Sequence, residues 1–160
     1  MVPADYKDFL VAVVTASASF IGLLFVAVSF ITDTNGKNTK TLAKETSTAE
    51  GAYTALVNLF FVSLLALTPH AEIGHVMAIM GFLGLVVAFR MVRKGRKNGL
   101  TRGILGISTA IYLLEFIFGI HVILNGNNLL NTSIFLTIVL ALFATALVRA
   151  WELTGIHEHK

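Results

Sequence analysis

Five apolar runs occupy most of this chain, at residues 9–31, 51–68, 73–92, 103–124 and 129–148. Each is long enough to decide the fold class on its own. About 20 apolar residues wound as a helix cross the hydrocarbon core of a bilayer, and 18 or more make a candidate span. Nothing of useful size is left over for a soluble domain, so the 160 residues read as one transmembrane domain. Only 13% of the residues are charged and mean hydropathy is +0.80. Soluble domains carry about 25% charge, so the composition agrees with the run lengths. The expected fold class is therefore all-α, an integral membrane bundle of about five helices. The first run lacks an A-x-A-like cleavage site and is long for a signal peptide, so it counts as a spanning helix.

The basic residues set the expected orientation. The polar stretch 32–50 carries Lys37, Lys40 and Lys44, and the segment 90–102 carries Arg90, Arg93, Lys94, Arg96, Lys97 and Arg102. The turns "TPHAE" and "NGNNLLN" carry none. Cytoplasmic segments of membrane proteins are enriched in Lys and Arg. Placing the N-terminus outside and the C-terminus in the cytoplasm puts nine of the twelve basic residues on cytoplasmic segments, with Lys7 the exception outside. The net charge of +3 sits beside membrane segments, so the expected partners are anionic lipid headgroups at the basic loop, not nucleic acid.

Local signals bound the helices. Ser47-Thr48-Ala49-Glu50 reads as a capping box opening the second helix. Thr68-Pro69 reads as an N-cap with proline at the first position of the third. Asn125-Gly126 closes the fourth. The stretch 32–50 is expected to fray the first two helices around a loop at Asn35-Gly36. Small residues at spacings of three and four form packing stripes: Gly74, Ala78, Gly81, Gly84 and Ala88 in the third helix, and Gly103, Gly106 and Ala110 in the fourth. The first helix has Ala16, Ser19 and Gly22. Such stripes let helix backbones approach closely, within one chain or between chains, and a homo-oligomer is expected.

Two segments together, "ASFIGLLFVAVS" at 18–29 and "RAWELTG" at 149–155, resemble a family of small multi-pass prokaryotic membrane proteins with those helix-1 and C-terminal motifs. The resemblance implies a compact helical fold in a bacterial or archaeal plasma membrane and carries no catalytic residue across.

Chemistry is sparse. Cysteine is absent, which removes disulfides, thiolate metal sites and cysteine nucleophiles. There is no H-E-x-x-H, no G-x-S-x-G and no Gly-rich phosphate loop, so an enzyme is not expected. The residue that stands out is Glu115, twelve residues from Gly103 and nine from Leu124, in the middle of the fourth run. An ionised carboxylate at mid-bilayer costs at least about 2.5–3.5 kcal/mol, so the group is protonated, paired or facing water. Ser108, Tyr112 and Gly119 share its helical stripe. Ser17 and Ser19 on the first helix, and Asn58 and Ser63 on the second, fall at a similar depth. Two readings follow: a polar lining for an ion or small-solute path, or a glutamate hydrogen-bonded to Asn58 or Tyr112 as interhelical glue. The corresponding functions are a small oligomeric path-forming protein, or an accessory protein that binds another membrane protein through the small-residue stripes.

A second cluster lies toward the outer side: His70, Glu72, His75 and His121. Imidazoles and a carboxylate suit zinc or copper binding or pH sensing, although H-x-E-x-x-H is no standard zinc motif. No cofactor is otherwise expected. Arg149, Trp151 and Glu152 read as interfacial anchors at the inner end of the fifth helix, with an i,i+3 ion pair.

Overall fold

A computed structural model describes residues 6–32, 39–68, 72–93, 99–126 and 129–155, with side-chain environments for 6–29, 48–68, 72–93, 103, 105–126 and 132–151. Five helices follow one another: α1 (Lys7–Thr32), α2 (Thr39–Leu67), α3 (Ile73–Arg93), α4 (Gly99–Asn125) and α5 (Leu129–Gly155). All five contain a stretch long and apolar enough to cross a membrane. In hydrocarbon every backbone N–H and C=O must be satisfied within its own segment, which a helix does. The protein is an all-α multi-pass membrane bundle.

The side chains sort accordingly. Phe25, Leu23, Ile79, Phe82, Phe89, Ile107, Leu114, Leu140 and Trp151 all face outward. So much exposed apolar surface would be a liability in water and is what acyl chains require. Hydroxyls on these helices are hidden by bonding back one turn: Thr15 to the Val11 carbonyl, Ser17 to Val13, Thr109 to Leu105 and Thr145 to Ala141, at 2.7–2.9 Å.

Helix ends differ from the sequence expectation at two places. α2 starts at Thr39, so Ser47–Glu50 is helix interior and not a capping box. Neither Gly nor Pro interrupts Thr39–Glu50, and Leu42, Ala43, Lys44 and Glu45 are all strong helix formers, so the helix extends beyond the apolar run. Thr68 closes α2 instead of opening α3: its amide and its hydroxyl both donate to the Leu65 carbonyl, at 3.1 and 2.5 Å. Residues 69–71 lie outside the described residues. The Glu72 carbonyl accepts the first α3 bonds, from the amides of His75 and Val76. Gly126 behaves as expected: at φ 76° its amide donates to the Val122 carbonyl, a left-handed cap for which glycine is suited. α5 runs past Val148 to Gly155.

α2 is the hub, lying against α1, α3 and α5, and α4 packs on α3 and α5. The closest pair is α3 with α4, and its cause is legible in the glycines. A Cβ at Gly81 would lie 2.7 Å from the Phe116 amide nitrogen; one at Gly74 would lie 3.1 Å from the Gly119 carbonyl. A Cβ at Gly119 would overlap the Ala78 backbone, and one at Gly84 the Tyr112 ring. The α3 stripe is thus consumed by α4, two antiparallel backbones in near contact. The fourth helix's own stripe is not. Among the described residues nothing lies within 4 Å of a Cβ built on Gly103 or Gly106, and Gly103, Gly106 and Ala110 all face outward. Gly22 on α1 is likewise open.

Candidate functional site

Glu115 is fully enclosed, at 0% exposure, and so is a line of polar residues beside it. Asn58 of α2 reaches across to it: Asn58 Nδ2 donates to Glu115 Oε2 at 2.7 Å. Ser108, Tyr112, Glu115 and Gly119 follow each other at spacings of four, three and four, so they share one face of α4, and all four are buried. That face looks into the bundle. Tyr112 stands between the two ends of the line, its ring against Gly84 of α3.

At the far end of the line is a residue with a different expected role. Arg149 of α5 is 3% exposed, not interfacial. Its Nε donates to Ser108 Oγ at 3.2 Å and its Nη1 lies 3.6 Å from Met91 Sδ. The guanidinium fills the notch above Gly51, where a Cβ would overlap Nη1. Arg149 therefore touches α2, α3 and α4 from α5. Its position follows from α5's buried face: Leu142, Ala146 and Arg149 recur at four and three residues and are all buried. That periodicity is present in the sequence and would have turned Arg149 inward. Trp151 lies on the other side, 77% exposed, as an anchor should. The Glu152 side chain lies outside the described residues.

The two ties share one register. Asn58 and Glu115 are 57 residues apart, and Gly51 and Ser108, joined by Arg149, keep the same offset. α2 and α4 therefore run parallel and level, with the carboxylate tie two turns, about 10 Å, from the guanidinium tie. The line reads Arg149–Ser108–Tyr112–Glu115–Asn58, built from α5, α4 and α2.

Three enclosed polar atoms have no hydrogen-bond partner among the described residues: Glu115 Oε1, Asn58 Oδ1 and Ser63 Oγ. Burying a polar group without a partner is costly, and such atoms ask for an explanation. Two of the three sit on the pair just described. Ser63, five residues after Asn58 on α2, points some 140° away around the helix.

The remaining expected residues are placed as follows. Glu115, Tyr112, Ser108 and Asn58 are brought together. Tyr112 shares the stripe, but the hydrogen bond to Glu115 comes from Asn58. Ser17 is buried yet bonded to its own helix, and Ser19 is exposed with its hydroxyl on the Thr15 carbonyl at 3.0 Å. Neither belongs to the line, because α1 packs on α2 and not on α4. Ser63 is buried but on another face of α2. At the opposite end of the bundle, His75 Nδ1 and Glu72 Oε2 are 2.9 Å apart and both side chains are exposed. His121 is exposed and takes its partner from Asn125, whose Nδ2 lies 3.1 Å from Nδ1. No three His, Cys, Asp or Glu side chains converge among the described residues, and His70 lies outside them. Arg90 and Arg93 face outward, the latter with its guanidinium 5.3 Å from the Phe89 ring centroid. Lys94, Arg96 and Lys97 lie outside the described residues, as does the Arg102 side chain.

Comparison with known proteins adds no relative: no family model, no curated protein and no solved structure matches this chain.

Proposed function

We propose that this protein forms an ion or small-solute path across a prokaryotic plasma membrane, with the Glu115–Asn58 pair as its binding station. One observation carries the reading. Glu115 is an ionisable group enclosed on a continuous buried polar face, and it and Asn58 each keep one enclosed oxygen that has no partner among the described residues and is open to a proton or a ligand. Ionisable groups held inside a bundle in this way are the usual markers of ion and proton pathways. The polar line from Arg149 to Glu115 gives the station an approach from one end, the cytoplasmic end if the basic segments lie inside. A chain of this size encloses no wide pore, so the path would be completed between subunits through the open Gly103–Gly106–Ala110 face.

The test is reconstitution. Purified protein in liposomes should support ion flux, and Glu115→Gln should abolish it or its pH dependence while size-exclusion profiles stay unchanged. Equal flux through both proteins would overturn the role of Glu115.

The open small-residue face also favours a second reading, an accessory protein that binds another membrane protein there. Absence of flux together with a stoichiometric membrane partner that is lost on Gly106→Leu would select it.

A further inference from the structure

We infer that the ligand of the Glu115–Asn58 pair is a single proton, carried on Glu115 Oε1 and donated to Asn58 Oδ1, and that metal cations are not held there. This deepens the reading above and rests on it only for the pair's role in a path, not for the pair's chemistry.

Donors and acceptors at the pair are unequal in number. An ionised carboxylate only accepts, and an amide offers N–H donors on one side and an oxygen on the other. With Asn58 Nδ2 already donating to Glu115 Oε2 at 2.7 Å, the two atoms left over are Glu115 Oε1 and Asn58 Oδ1. Both are acceptors, so neither can satisfy the other while Glu115 is ionised. One proton on Oε1 converts it to a donor, and Oδ1 is the free acceptor of the amide already facing it. Acid and amide then close a ring of two antiparallel hydrogen bonds, and both orphan atoms are satisfied together. Uptake is simply carboxylate plus H⁺ giving the carboxylic acid; release returns both, with no other bond made or broken.

A metal ion finds no such fit. Hard cations take about six oxygens or more, and two are left here. The buried residues next to Asn58 along α2, Leu59 and Val62, and the small residues Ala78 and Gly81 of α3 that meet α4 here supply no side-chain oxygen. Tyr112 is the buried titratable group on the same face of α4, and Arg149 of α5 lies two turns away; Tyr53 of α2, His75 of α3 and His121 of α4 are exposed, and Glu50 of α2 stands eight residues before Asn58. Tyr112 stands on the same buried face of α4 between Ser108 and Glu115, the titratable side chain along the line toward Arg149.

Infrared difference spectroscopy on the protein in lipid nanodiscs tests this. A protonated-carboxyl C=O band should be present at neutral pH, shift in D2O, and vanish in Glu115→Gln. Asn58→Leu should move it to higher frequency, because the acid loses its acceptor. If Asn58→Leu does not fold, ¹³C-glutamate labelling of the unaltered protein together with Asn58→Asp reads the same band. No Glu115-dependent acid band, or one indifferent to residue 58, overturns the inference. Parallel liposome assays with a pH indicator and with Na⁺ or K⁺ gradients separate it from the path reading. An acid band without flux leaves the proton pair standing and removes the path. Na⁺ or K⁺ flux without an acid band does the reverse.

Discussion

Gly51 of α2 is the seat of the Arg149 guanidinium of α5, which occupies the volume that any side chain at position 51 would need. The guanidinium is not free to move aside. It is buried and bonded to Ser108, and Met91 closes the notch from α3, its Cε 3.1 Å from a Cβ at 51.

Gly51→Ala should therefore destabilise the bundle by about 1–3 kcal/mol, the range for overpacking a filled interior. Thermal unfolding in detergent measures it. The same change made on an Arg149→Ala background should cost much less, since the clash is gone. A double-mutant cycle with no coupling between the two positions would place the guanidinium elsewhere.

The glycines of α3 and α4 separate into a used set and an open set. Gly81→Ala and Gly119→Ala each push a methyl into the facing helix backbone, which has no rotamer to adjust. Both should lower the melting temperature sharply or prevent accumulation. Gly103→Ala and Gly106→Ala meet nothing among the described residues and should leave monomer stability unchanged. If copies associate through that face, they weaken association alone, which analytical ultracentrifugation in detergent can read.

Removing the acid should separate stability from shape. Glu115→Gln keeps a donor and an acceptor opposite Asn58 and should unfold within a few tenths of a kcal/mol of the parent. Glu115→Leu leaves Asn58 enclosed with no partner, at a cost of about 0.6 to 2 kcal/mol for a polar contact between membrane helices. Equal melting of the two variants would mean that the Asn58 bond contributes nothing.

Orientation follows from the basic segments. Reporter fusions at Gly126 and at the C-terminus should report opposite sides of the membrane, outside and cytoplasmic respectively. Finding both on one side would reverse or break the expected topology.

The helices were legible because apolar run length is a direct reading of bilayer thickness; all five start or end within a few residues of their runs. The beginning of α2 was not, because Ser47–Glu50 has the composition of a cap and nothing in four residues records that a helix already passes through them. Glu115 was visible as a lone carboxylate in hydrocarbon, and Asn58 as a polar residue at matching depth. Arg149 was hidden by its neighbours: Trp151 and the chain's inner end suggest an interfacial anchor, and only the spacing to Leu142 and Ala146 shows that it turns inward. Serines misled for a related reason. A helical serine hides its hydroxyl on the carbonyl one turn back, as Ser17 and Ser19 do, so depth alone does not enrol it in a site.

The shared 57-residue offset has a mechanical meaning. One tie between parallel rods stops them sliding but lets them pivot, and a second tie at another height stops the pivot as well. Glu115 and Arg149 make those ties, the first between α2 and α4 and the second from α5 to both. α1 is pinned by neither, is the least buried of the five spans, and leans chiefly on α2. α1 is thus the one span that could part from the others with neither tie broken.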